Sequence, residues 1–555
     1  MTAEATARTG RPAAGWRPAA GRGTGGFGGL VPGAVVTLGL LGLLGAAAGG
    51  LLAIAGRIDL AQVALDPYVL GVLRFTVWQA FLSAAISVLL AIPVARALAR
   101  RPAFPGRALL VRLLGLPMVV PTIVGVLGIV AIWGRSGLIN EGFEVLGLPV
   151  RLDIYGLSGI LIAHVFFNMP FATRLFLQAF AAIPGESWRL AGQLGMSGPQ
   201  TFRLIEWPAV REVAPGIFSL VFLLCFTSFA VVLTLGGGPP NATLEVAIYQ
   251  ALRFDFDLPR VLAFAVLQVG LCALLVALAQ RFARSMETEL TLARVAPRWD
   301  GTGWLGRIGD GSAIAFGAAV MGLPLGAVVV AGLTGPVVEV MTMPGLWQAT
   351  GRSLAVGIGA GLLALALGWG LILSARHARV RLLRRGISEG FDLLGSIVLV
   401  VPPFVIAAGL FVLLRGRIDV FDWALLLVVL VNALMGLPFV LRILGPPAVR
   451  VLGDHWRLAA SLGMGPLQRF RLIDWPLLRR PAALALAVST ALSLGDLGVI
   501  ALFGSQDTRT LPLMLYQLLG NYRSGEATVI ALWLILLTVG VFVAIERLGG
   551  GRADR

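Results

Sequence analysis

The amino-acid sequence predicts an all-α polytopic membrane protein with about 12 transmembrane helices, arranged as two parallel six-helix repeats. Three observations carry that prediction. Of the 555 residues, 57% are apolar and only 13% charged, roughly half the charged share of an ordinary soluble domain, which leaves too few polar side chains to cover a soluble surface. Apolar runs of about 20 residues, the length a helix needs to cross hydrocarbon, recur along the whole chain. A polar segment of 21 residues appears twice, in the middle of each half.

Taken in order, apolar runs bounded by arginines and by Gly, Pro and Asp clusters predict spans near 31–55, 74–96, 110–133, 156–179, 213–236 and 259–280. A second set is expected near 312–334, 352–374, 390–414, 422–444, 481–503 and 524–545. The runs are continuous and do not alternate, so they read as helices and not as strands of a closed barrel. The domain plan that results is a basic tail (1–30), a first half (31–281), a polar linker (282–311), a second half (312–546) and a short tail (547–555). The first apolar run is too long for the core of a signal peptide and reads as an uncleaved span.

Net charge is +16, and every one of the 44 basic residues is arginine, because the chain has no lysine. With the N-terminus inside, 33 arginines fall in cytoplasmic segments and 11 outside. That three-to-one bias places both termini in the cytoplasm. The arginines sit in short clusters between apolar runs and not on one polar face, which argues against nucleic acid as a partner. Cys225 and Cys272 lie inside apolar runs and read as small buried hydrophobes. No cluster of His, Cys and acidic residues has ligand spacing, so no metal is expected.

The repeated segment sharpens the reading. Trp188 to Pro208, WRLAGQLGMSGPQTFRLIEWP, matches Trp456 to Pro476, WRLAASLGMGPLQRFRLIDWP, at 14 of 21 positions with a constant offset of 268. The same offset carries Pro170, Phe171 and Arg174 onto Pro438, Phe439 and Arg442. An even number of helices per half makes the repeat parallel, with the halves facing each other around a central path. The segment is too polar to span, and Gly195 and Gly463 can each end a first helix before a second short one that stops at Pro208 or Pro476. Its form is a projecting elbow, presented twice on the cytoplasmic face, within loops at 184–212 and 450–480.

This spacing resembles the E-A-A loop of ABC importer permeases: E-A-A, three residues, Gly, nine residues, Ile, one residue, Leu, Pro. Ala191, Gly195, Ile205 and Pro208 fall on the pattern in the first copy, and Ala459, Gly463, Ile473 and Pro476 in the second. Arg189 and Arg457 replace the acidic residue, and Trp207 and Trp475 the leucine. The resemblance implies a type I (MetI-like) importer permease fold, with the elbows as coupling helices that dock into two copies of an ABC ATPase subunit. The chain has no G-x-x-x-x-G-K-[ST] loop, and without lysine it can have none, so this chain needs no cofactor and ATP and Mg belong to the partner subunits.

Among permeases with two fused halves, the chain is most similar to thiamine and thiamine pyrophosphate importer permeases, over nearly its whole length. The strings that carry this are FTVWQAFLSA from Phe75, LIAHVFFNMPFATRLFLQA from Leu161, LTLGGGP from Leu233, VAIYQAL from Val246, LSLGDLGVIALFG from Leu492 and RTLPLMLYQLLGNYRS from Arg509. The resemblance implies a non-catalytic permease subunit that takes thiamine or its phosphates from a periplasmic binding protein. A permease for ferric iron or another small cation is the alternative; an ion-coupled secondary transporter fits the paired elbows less well.

Four polar residues inside predicted spans are candidates for the path. Asp496 is costly in an apolar span and marks either a pathway or a helix cap. Its repeat partner is Ser228, so the sequence places a negative charge in one half only. His164 and Asn432 form an offset-matched pair near mid-span, suited to the path or to hydrogen bonding between helices.

Overall fold

The computed structural model describes residues 27–550 apart from 56–62, 64, 116, 118, 284–297, 299–302, 381, 383, 396, 398 and 399. Most of the expected N-terminal tail, most of the linker and the last residues of the C-terminal tail therefore lie outside the described residues. In the first half, α1 (Val31–Ala55), α2 (Pro67–Arg100), α3 (Arg107–Leu113), α4 (Thr122–Trp133), α5 (Leu138–Val145) and α6 (Leu157–Ala181) lead to the first elbow. After α7 (Gly185–Gln193) in that elbow come α8 (Trp207–Phe226), α9 (Ala230–Leu235), α10 (Leu244–Arg253) and α11 (Leu258–Ala283). The second half contains α12 (Trp304–Thr334), α13 (Pro344–Val380), α14 (Arg385–Gly395), α15 (Pro403–Leu414) and α16 (Ala424–Ser461). It ends with α17 (Trp475–Leu494), α18 (Gly498–Phe503), α19 (Leu511–Gly520) and α20 (Ser524–Gly549).

Eleven helical segments among the described residues are long and apolar enough to cross a membrane, six in the first half and five in the second. The ninth expected span, 390–414, is built differently. Its first part lies on the amphipathic α14, and Pro402 and Pro403 restart the chain as the 12-residue α15. The same correction applies to 110–133, where Pro121 precedes a 12-residue α4 that TM length reaches only together with α5. A proline at such a start lacks only an N–H that the helix would leave unpaired anyway.

Two further expected spans, 213–236 and 481–503, are each broken part-way along. Helix α8 ends at Phe226 and α9 begins at Ala230; α17 ends at Leu494 and α18 begins at Gly498. Backbone that leaves helical geometry inside a bundle must find partners in protein or line a cavity. Both breaks do line one. Helix α12 starts at Trp304, inside the stretch expected to be linker, and α16 runs unbroken from its apolar part into the second elbow.

The first helix of each half packs on the other half. Helix α1 lies against α13 and α15, and α12 against α2 and α4. Glycine makes both crossings possible. A Cβ on Gly409 of α15 would run into the carbonyl oxygen of Ala47 in α1, and one on Gly128 of α4 into that of Pro324 in α12. Small residues that admit a neighbouring backbone are the usual means of helix association in lipid, where apolar area alone gives no preference for protein over lipid. The exchange is reinforced where Ser374 Oγ accepts from Gly33 N at 2.8 Å and donates to Gly29 O at 3.1 Å.

Candidate functional site

The two elbows are near copies in three dimensions. In each, the first helix ends on a glycine with positive φ, +61° at Gly195 and +65° at Gly463. The following Met196 or Met464 N–H reaches back 3.0 Å to the carbonyl of Ala191 or Ala459. This is the closure that lets a left-handed residue terminate a helix. The alanines of the pattern are buried because the chain folds back over them, whereas Arg189, Leu190 and Leu194 in the first copy and Arg457, Leu458 and Leu462 in the second are exposed.

A π-helical turn follows in both copies, Phe202–Glu206 and Phe470–Asp474. Trp207 N–H donates to the carbonyl of Phe202, and Trp475 N–H to that of Phe470, one residue further back than in an α-helix. The next residue is Pro208 or Pro476, which has no N–H to donate. The wide turn rotates Ile205 and Ile473 to half-buried positions and buries the carboxylates of Glu206 and Asp474 beneath the elbows. Arginines from the bundle meet those carboxylates. Arg96 Nε of α2 is 2.6 Å from Glu206, and Arg376 Nη2 of α13 is 3.0 Å from Asp474.

Between the halves lies a cavity of about 390 Å³, lined by both mid-helix breaks. Ser228 and Phe229 reach it from the first half and Asp496 from the second. The Asp496 carboxylate accepts from Gly498 N at 3.1 Å and Val499 N at 3.2 Å, holding the start of α18. It thus serves as a helix cap and faces the cavity at once. Phe229 stacks on Phe404 of α15 across the halves, centroids 4.8 Å apart and planes 24° from parallel. The approach is close, for a Cβ on Gly495 would stand 2.9 Å from the Cα of Pro121.

His164 also borders the cavity, but its Nδ1 is tied at 2.8 Å to Ser83 Oγ of α2. Asn432 lies off the main cavity, in a small neighbouring pocket that it shares with Asp496, and donates to Ser493 Oγ of α17 at 3.0 Å. The offset-matched pair therefore ties helices together in both halves, but to different partners: α6 to α2 and α16 to α17. Cys225 and Cys272 are buried free thiols.

The cavity also has an acidic side chain from the first half, which the offset of 268 does not reveal. Glu245 of α10, in the first half, is buried and lines the same cavity as Asp496. Its Oε1 accepts from Gln268 Nε2 at 2.9 Å. Position 513, at an offset of 268, is Leu, but the strings TLEVAIYQ from Thr243 and TLPLMLYQ from Thr510 align at 267 and set Glu245 against Pro512.

The family of binding-protein-dependent transport system inner membrane components matches this chain twice, over residues 87–288 and 366–548. Each match contains one elbow. The thiamine transport system permease protein ThiP of Brucella abortus is 45% identical over 513 residues, 92% of this chain and 94% of that protein. ThiP of Escherichia coli is 42% identical over 89% of this chain and 91% of its own length. A probable sulfate transport system permease protein of Helicosporidium is 26% identical over 39% of this chain. Two family matches, each with an elbow on a buried carboxylate and together enclosing one cavity, place the chain in the family of inner membrane components of binding-protein-dependent transport systems, as a non-catalytic permease with two fused halves.

Proposed function

We propose that this chain forms the translocation path for thiamine or its phosphate esters in an ATP-driven importer of a bacterial inner membrane. The observation that carries the reading is similarity to thiamine permeases over nine-tenths of the chain. The cavity chemistry supports it. Thiamine contains a flat ring with a fixed positive charge, and the carboxylates of Asp496 and Glu245 and the stacked Phe229 and Phe404 supply attraction and an aromatic face. Both termini and both elbows lie in the cytoplasm in this reading, and two copies of an ATPase engage the exposed leucines of the elbows. A periplasmic binding protein delivers the substrate at the opposite face. Closure of the ATPases moves the elbows and opens the cavity outward.

The test is uptake of labelled thiamine into cells lacking the gene, with and without the chain restored. Loss and rescue are expected. Uptake that never depends on the chain would remove thiamine as the substrate and leave the family assignment standing.

A further inference from the structure

We propose that Arg298, in the linker between the halves, is a positioning residue of the first elbow and supplies there the guanidinium that the second elbow carries in its own sequence. The inference rests on reading the elbows as the ATPase contacts. Each elbow is seated on one buried carboxylate held by two arginines. In the second copy Asp474 meets Arg376 from the bundle and, at 3.3 Å, Arg469 from the elbow itself. At an offset of 268, Glu206 takes the place of Asp474, and Thr201 that of Arg469. Thr201 cannot donate a charge, and its hydroxyl is engaged with Ser197 O at 3.0 Å.

Arg298 fills the gap from outside. Its Nη2 lies 2.5 Å from Glu206 Oε1, while Arg96 takes Oε2. The Arg298 guanidinium also lies over the Trp188 ring, 4.1 Å from its centroid, so one side chain grips the π-turn and the first helix of the elbow together. Only 6% of it is exposed. A passive tether has no need to bury an arginine, whose desolvation is costly unless it is paired. The two elbows are thus equivalent in charge but unequal in construction: the first is seated only when the linker is in place.

The test uses the full chain with its ATPase and binding protein in proteoliposomes, reading labelled thiamine uptake and ATP hydrolysis together. Arg298→Ala is expected to lower uptake per ATP about tenfold, within the range of coupling between groups in contact. Arg469→Ala should do the same through the second elbow. Thr201→Arg in the Arg298→Ala background should restore uptake to within about twofold, because it moves the arginine to the position used by the second copy. If the Thr201 variant does not reach the membrane, a cycle decides instead: Arg298→Ala should add nothing to Glu206→Gln. Parental uptake per ATP in Arg298→Ala, a well-expressed Thr201→Arg that restores nothing, or full additivity in the cycle would each overturn the proposal. Retention of the ATPase by Leu190→Asp and Leu458→Asp would overturn the docking reading alone, and the cycle would still decide the anchor.

Discussion

Asp496 of the second half and Glu245 of the first open onto one cavity from opposite sides of the pseudo-dimer. Each has a second bond that holds it in place, Asp496 to the backbone that opens α18 and Glu245 to Gln268. Amide substitution removes the charge and keeps one acceptor: Gly498 N and Val499 N reach different oxygens of Asp496, and Asn retains one of the two. Asn accepts backbone N–H groups at a helix start about as well as Asp, whereas Ala loses about 1 kcal/mol there. Asp496→Asn should keep the fold and lower thiamine uptake on the order of tenfold, the loss that about 1.4 kcal/mol of attraction represents. Asp496→Ala should in addition lower the melting temperature of the purified chain. Equal uptake in parent and Asn variant would reduce Asp496 to a cap.

Glu245→Gln gives the parallel case. The bond to Gln268 survives, since an amide oxygen can accept from Nε2. Uptake should fall by a similar factor without change in protein level, and the double variant Glu245→Gln with Asp496→Asn should fall further than either alone. An unaltered rate in Glu245→Gln would leave the first half without a charge in the path.

These two carboxylates differ in how far the sequence reveals them. Asp496 stands out because it interrupts a long apolar run, where any charge draws notice. Glu245 sits in a 10-residue amphipathic helix between spans, where a charge looks ordinary until α10 is seen packed on α11 and α2. The elbows are legible for a different reason: two copies of one string must make one shape. The mid-helix break at 227–229 is hidden because Thr, Ser and Phe do not interrupt an apolar run, whereas the one at 495–497 leaves a trace only in Gly495 and Asp496, which read equally well as a polar point within one continuous helix. The exchange of α1 and α12 between halves is equally hidden, since it is decided by which backbones can approach and not by which side chains are apolar.

Gly195 and Gly463 make a graded prediction. A Cβ on either would meet nothing within 4 Å, so any effect of substitution comes from the backbone alone. Their φ values of +61° and +65° cost a non-glycine L-residue about 1–2 kcal/mol, less for Asn. Uptake per ATP should therefore follow the order Gly, Asn, Ala, Val at both positions, with ATP hydrolysis falling less than uptake. Identical ratios in Asn, Ala and Val variants would mean the turn is not under selection for its shape during transport.

The glycine crossings predict a loss of assembly and not of chemistry. Gly409 touches the backbone of α1 and Gly128 that of α12, and neither lies among the residues lining the central cavity. Leucine at either place must force the paired helices apart, at a cost of about 1–3 kcal/mol for overpacking, more where backbone cannot yield. Gly128→Leu and Gly409→Leu should each lower the melting temperature in detergent and the amount of protein in the membrane. Transport per molecule that does reach the membrane should fall as well, because α12 and α1 are the struts by which each half holds the other. Gly326, on α12 two residues beyond Pro324, has open space around its would-be Cβ and supplies the control: Gly326→Leu should leave both quantities near the parent. Parental melting in Gly128→Leu or Gly409→Leu would show that the crossing tolerates separation and that the halves are held together elsewhere.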